Sequence, residues 1–138
     1  MKNIFTQTIQ DLEFDVVLSQ ASAYCVTEDG KTAINALQPQ TTRFLIEREL
    51  AYTSEYLWSF SSEHSIPNHG FDLIEKELQL LGIENSTLDK DSIKKLAVLP
   101  RTVNSHIKFF KKLQENFPHL FKRLEPIVYN EIIPTQVD

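Results

Sequence analysis

The chain has 138 residues, 41% of them hydrophobic and 24% charged, with a net charge of −5. Only three glycines (Gly30, Gly70, Gly82) are present, which excludes a glycine-rich phosphate loop and disfavours hairpin-rich sheet, and a single cysteine, Cys25, excludes an internal disulfide framework. No apolar run approaches the roughly 20 residues of a membrane span, and Met1-Lys2-Asn3 is not followed by a signal-like core, so a soluble, cytoplasmic domain in a reducing compartment is expected.

Asp11 is a candidate cap for a first helix with apolar positions Phe14, Val17, Leu18, Ala21, Tyr24 and Cys25, one face of a 3.6-residue period. Cys25 belongs to that stripe and reads as a buried structural thiol. Thr27 caps a second helix, with Glu28 and Asp29 at its positive end and Gly30, Ala33, Ile34 and Leu37 inside. Gly30 costs about 1 kcal/mol against alanine in a helix, so it predicts a close helix–helix approach. Pro39 ends this helix.

A longer helix starts at Thr41 or Thr42 and runs to about His64. Its core line is Ile46, Leu50, Thr53, Leu57 and Phe60, flanked by Phe44, Leu45, Ala51, Tyr52, Tyr56 and Trp58, an arc wide enough to need two helical neighbours. Ser65 to Gly70 is a loop, and Asp72 to Leu81 a fourth helix with Phe71, Ile74, Leu78 and Leu81 on one side. Ser86 and Asp89 fit a capping box before a helical region reaching Phe117. Pro100 inside that region predicts a kink or break, because an interior proline costs roughly 3 kcal/mol. Val103, Ile107, Phe110 and Leu113 form the inner side of its second half, and Pro118 opens a short helix to Leu124.

After Pro126 no helical period emerges, although Ile127, Val128, Tyr129, Ile132, Ile133 and Val137 are apolar. The expected organisation is an all-α, irregular helical bundle of five to seven helices over residues 1–126, with 127–138 a truncated or poorly ordered tail that wants a covering partner.

Chemistry is sparse. Gly30-Lys31-Thr32 lacks the earlier glycine and preceding strand that a phosphate loop needs. The histidines, His64, His69, His106 and His119, show no zinc spacing, though His64 and His69 flank one loop. Carboxylate pairs at Glu13/Asp15, Glu28/Asp29, Glu47/Glu49 and Asp89/Asp91 fit helix starts and exposed faces. No catalytic residue, cofactor-binding residue or metal ligand is therefore assigned.

Charge is uneven. Between Ser92 and Arg123, Lys94, Lys95, Arg101, Lys108, Lys111, Lys112, Lys122 and Arg123 face a single acid, Glu115. Such a cluster is either a solvated helix face or a nucleic-acid contact. Phe109, Phe110, Phe117 and Phe121, interleaved with it, read first as core and second as a stacking platform for single strands.

The order Leu12-Glu13-Phe14, Thr27 to Lys31, then Leu37-Gln38-Pro39 resembles the N-terminal helical core region of the MutS superfamily of DNA mismatch-repair ATPases, closest to the second bacterial MutS paralogue branch. Thr53-Ser54-Glu55, Asp72, Ile74 and the Leu88-Asp89 restart follow in the family's order, and the resemblance covers about Asp11 to Ile127. It implies part of a core that continues into lever and clamp helices, an ATPase domain and often a small nuclease domain. The resemblance further implies a cytoplasmic homodimeric clamp acting on branched DNA or stalled ribosomes, with ATP and Mg bound elsewhere in the parent. Walker motifs and the mismatch-reading Phe-x-Glu are absent from these 138 residues, and no family catalytic or nucleotide-contacting residue is matched. The segment is thus expected to be a non-catalytic scaffold whose partners are the remainder of the parent and, through it, DNA or ribosome. Its alternatives are a stand-alone helical adaptor and a weak nucleic-acid binder through 94–123.

Overall fold

The computed structural model describes residues 4–137, and every regular element among them is helical. Residues 1–3 and 138, which belong to the expected bundle and tail, lie outside the described residues. The chain divides into two compact units, 1–39 and 40–138. That boundary falls at Pro39, within the stretch expected to form one bundle.

In the first unit α1 (Ile4–Asp11) packs on α2 (Phe14–Ser22), and α2 on α3 (Glu28–Asn35). Asp11 caps nothing: it closes α1, which the sequence reading lacks, and its carboxylate accepts Gln7 Nε2 at 2.8 Å. The chain enters α2 through Glu13, held in the left-handed region at φ 49° and ψ 40°. Thr27 does cap α3, its Oγ1 accepting the Gly30 N–H at 3.0 Å. A Cβ on Gly30 would lie 3.1 Å from that oxygen and 3.5 Å from Cys25 Cβ. Gly30 therefore makes room for the capping turn and not for a facing helix.

The second unit holds α4 (Arg43–Ser61), α5 (Glu75–Leu81), α6 (Lys90–Lys112), α7 (Pro118–Leu124) and α8 (Ile132–Val137). Helix α6 is its axis, touching α5, α7 and α8, while α4 packs on α7. The core is a knot of aromatic rings. Phe117, fully buried between α6 and α7, meets Trp58, Phe109 and Phe110 with ring centroids 5.3 to 5.5 Å apart. Edge-to-face geometry of this kind adds about 1 kcal/mol per pair beyond the area buried. These phenylalanines are core, as their spacing predicts, and Phe110 and Phe117 have no face left for a base.

Helix α6 begins where Asp89 accepts the Ser92 N–H at 2.7 Å. Ser86 takes no part in a capping box; its hydroxyl donates to the Leu80 carbonyl and folds the chain back after α5. No break occurs at Pro100, and α6 runs through it. The proline withholds one N–H from the Leu96 carbonyl, but Ala97, Asn104 and Phe110 on both sides of it are buried, so packing along the axis overrides the local cost.

The stretch read as a poorly ordered tail carries α8, docked on α6. Pro134 is tolerated because it stands in the first turn, where backbone donors have no helical acceptor anyway.

The largest departure concerns α4. Its expected core line faces water: Ile46, Leu50, Leu57 and Phe60 are 38%, 59%, 61% and 72% exposed. The covered side is the opposite one, with Ser59 buried and Ala51, Tyr52 and Glu55 half-buried. Likewise Leu78 and Leu81 on α5, and Val17 and Tyr24 after the start of α2, are exposed.

Candidate functional site

The eight basic residues do not form one surface. On α6, Lys94, Arg101, Lys108 and Lys112 are spaced i, i+7, i+14 and i+18, which places them on one stripe of a 3.6-residue helix, with Lys95 and Lys111 to the sides. Lys122 and Arg123 belong to α7.

Most of them already have partners. Lys94 lies 3.9 Å from Asp91, and Lys95 lies 3.9 Å from the buried carboxylate of Glu77. Arg101 donates to the Pro134 carbonyl at 3.3 Å. The Lys108 ammonium sits 5.0 Å over the Tyr129 ring. Its hydrogen bond to Tyr129, and then the charge of that group, raise its pKa above the ordinary 10.5. Arg123 stacks 4.9 Å over Tyr52. Lys111, Lys112 and Lys122 have no hydrogen bond or ion pair among the described residues.

Two side chains that sequence reading left without a role organise this unit. Glu55 of α4 reaches the start of α7, where one carboxylate oxygen accepts the His119 N–H at 2.9 Å and the other accepts the Leu120 N–H at 2.8 Å. His119 Nδ1 also donates to Glu55 Oε1 at 2.6 Å, which fixes the proton on that ring nitrogen, since the acceptor is a carboxylate. Phe117, at the N-cap position, supplies no side-chain acceptor, so Glu55 is the cap, sent from another helix.

Asn104 is the second organiser. Buried on α6, its amide donates to the Asn130 carbonyl and accepts the Asn130 N–H at 3.0 Å. Asn130 Oδ1 in turn accepts the Ile133 N–H at 3.2 Å, starting α8. The partnership had no local signal, because 26 positions separate the two asparagines.

Several grooves open on this unit, two of them beside α7. One, of about 500 Å³ between α4 and α7, is lined by Phe44, Glu47, Arg48, Ala51, Tyr52, His119, Lys122 and Arg123. Glu47 is neutralised there by Arg43 at 2.7 Å, which leaves Lys122 and Arg123 beside two aromatic rings. The other, of about 430 Å³, is mainly apolar and runs from Tyr56, Ile66 and His69 past His106 and Phe110 to Leu124 and Ile127.

The histidines have separate neighbours. His64 lies against Trp58, His69 against Tyr56, and His106 Nδ1 donates to the Thr102 carbonyl at 2.8 Å. Among the described residues no three His, Cys, Asp or Glu side chains gather as a metal site. No described helix is long and apolar enough to cross a membrane. Cys25 is half-buried, its thiol 3.9 Å from the Ala21 carbonyl.

These features define an irregular all-helical bundle with long-range polar clamps, an aromatic core and large apolar side chains facing out. In sequence the chain is similar to the endonuclease MutS2 of Lactiplantibacillus plantarum, 27% identical over 128 residues. The alignment takes in 89% of this chain and 16% of the relative, so the chain spans about a sixth of the length of the protein it matches. No family model matches the chain, and no solved structure matches it. The similarity supports a relationship to the MutS family.

Proposed function

We propose that this chain acts as an N-terminal core segment of a MutS-like ATPase, a non-catalytic scaffold that passes nucleotide state to a clamp on DNA or on the ribosome. The observation that carries the reading is the alignment with MutS2, which runs through nearly the whole chain and not through one motif. The outward-facing leucines and isoleucines of α4, α5 and α8 support it, since a scaffold needs apolar surface to lean on neighbouring helices. The family's Thr-x-Glu step ends here on Glu55, the residue that joins α4 to α7. On this reading ATP, Mg and any nuclease chemistry belong to other parts of a longer cytoplasmic protein, which works as a homodimer.

The test is the reading frame beyond codon 138 in the source genome. Continuation into a phosphate-binding loop supports the proposal, and a native stop codon at that point removes it.

A second reading is favoured by the groove between α4 and α7. Lys122 and Arg123 beside Phe44 and Tyr52 suit a phosphate next to a flat base, so weak single-strand binding by this segment would use that groove. Fluorescence anisotropy with a labelled oligonucleotide at low salt tests it: binding lost in Lys122→Ala with Tyr52→Ala supports this reading, and unchanged binding rejects it.

A further inference from the structure

We infer that α8 and the segment leading into it form a removable cover on a nucleic-acid contact along α6, engaging from within the chain two of the four cations that would hold the phosphate backbone of a DNA duplex. The inference rests on reading the basic residues of α6 as such a contact, and adds how that contact is regulated. Lys94, Val98, Arg101, Ser105, Lys108 and Lys112 are spaced 4, 3, 4, 3 and 4, so they share an arc of about 80° on a straight helix. All of them are exposed and none is an acid. The four cations span about 27 Å of helix axis, roughly eight base-pair steps of a duplex. Cations in a row along one helix are the electrostatic footprint of a polyanionic backbone.

The charged ends of the two middle cations are turned to the tail. Arg101 donates to the Pro134 carbonyl at 3.3 Å, one of the last four carbonyls of α8, which lack an intrahelical donor. Lys108 stands 5.0 Å over the Tyr129 ring, and its hydrogen bond to Tyr129, then the charge of that group and more weakly that of Glu131, favour the ammonium form. Each of these partners offers an acceptor or a negative charge, as a phosphate would. The hold of the tail is shallow. No residue of α8 is buried, Ile132 and Ile133 are 66% and 41% exposed, and among the described helices α8 packs on α6 alone. What keeps it in place is polar, the Asn104–Asn130 pair above all. A segment with few buried apolar contacts opens locally at low cost. A phosphate is a better partner for Arg101 and Lys108 than a carbonyl and a ring, because its hydrogen bonds are charge-assisted on both sides. Duplex binding and tail docking therefore compete for the same two side chains.

Such competition is reciprocal: freeing the tail strengthens duplex binding, and duplex binding frees the tail. The probe is a short fluorescein-labelled DNA duplex, read by anisotropy across a salt series. Asn104→Ala, which unlatches the tail, is expected to bind several-fold tighter than the wild type. It should also steepen the fall of log affinity with log salt by up to about 1.8, two phosphates at about 0.9 each. Adding Arg101→Ala and Lys108→Ala to Asn104→Ala removes that gain, whereas the same pair in the wild-type background changes the slope much less. A second measurement needs no variant. In the wild type, saturating duplex at low salt lowers the hydrogen-exchange protection of the Asn130 and Ile133 amides. Equal affinity and slope in the wild type and Asn104→Ala, no binding by either, or unchanged or greater protection of those amides with duplex present overturns the proposal. Binding that ignores Asn104→Ala but is lost in Lys122→Ala with Tyr52→Ala overturns the cover and leaves the reading of the groove between α4 and α7 standing.

Discussion

Glu55 caps a helix that begins at Pro118: its carboxylate receives both the backbone N–H and the ring Nδ1–H of His119, 64 positions further along the chain. The contact joins α4 to α7 at the point where Phe117 enters the aromatic core, so one side chain sets the orientation of two helices. Replacing it by alanine strands the His119 and Leu120 N–H groups and should lower unfolding stability by about 1–2 kcal/mol. Glu55→Gln keeps one carbonyl acceptor and should lose about half as much. Urea unfolding followed by circular dichroism measures both, and a Glu55→Ala protein as stable as the wild type refutes the assignment.

Asn104 should hold α8 in place. Its amide satisfies both backbone groups of Asn130, and no backbone partner replaces it when it is removed. Asn104→Ala is expected to cost about 2 kcal/mol, because a buried pair of hydrogen bonds is lost and the Asn130 groups must find water. Asn104→Asp should cost at least as much, since it keeps the acceptor but loses the donor and places a charge where Asn104 is buried. Hydrogen exchange distinguishes a local from a global effect: the Asn130 and Ile133 amides should lose protection first, and equal loss along α6 contradicts a latch confined to the tail.

If the basic region meets nucleic acid, Lys111, Lys112 and Lys122 are the contributors to change, since Lys108 and Arg101 are engaged with residues near α8. The dependence of log affinity on log salt for duplex DNA should flatten by about 0.9 for each lysine that neutralises a phosphate, hence by up to about 2.7 in the triple alanine variant. Lys94→Ala with Lys95→Ala should change the slope less, because both lysines have acidic neighbours. An unaltered slope in the triple variant sinks this assignment.

Glu13 gives a test within the first unit. Its left-handed backbone, at φ 49°, costs a residue with a side chain on the order of 1–2 kcal/mol and costs glycine little. Its side chain makes no capping bond at the head of α2, so Glu13→Gly removes no cap. The variant should therefore raise the melting temperature by a few degrees, less any entropy cost of freeing the unfolded chain. A lower melting temperature means that Glu13 holds the turn by some contact of its side chain.

What the sequence revealed was what is local. The Thr27 cap and the Pro118 start depend on residues within three positions of a helix end, and both stand as read, whereas the capping box read from Ser86 and Asp89 becomes a cap at Asp89 alone. The aromatic core was legible because Phe110 and Phe117 occupy the inward side of a long periodic region. Helix α4 was misread for a physical reason. It has apolar residues on two opposite faces, and periodicity alone cannot tell which face its own chain covers. Glu55 and Asn104 were invisible because their partners are 64 and 26 positions away, and each looks like an ordinary polar residue on a helix. The docking of α8 on α6 goes through the same Asn104–Asn130 pair and has no nearer signal.

The Asp89 cap of α6 carries a pH dependence whose sign can be worked out. The Ser92 backbone N–H holds its carboxyl below the ordinary carboxylate value of 3.8, so the ionised form is favoured by folding. A group depressed in the folded state adds stability that is complete above its unfolded pKa and vanishes as pH falls through the folded one. The melting-temperature gap between the wild type and Asp89→Ala should hence be constant near neutral pH. It should shrink only as the solution is acidified past about 3.8. Asp89→Asn supplies the control, for an amide oxygen can accept the same N–H without titrating. Its gap to Asp89→Ala should persist at low pH. A wild-type gap that stays constant down to pH values where every carboxylate is protonated would mean that the side chain acts there as a neutral acceptor.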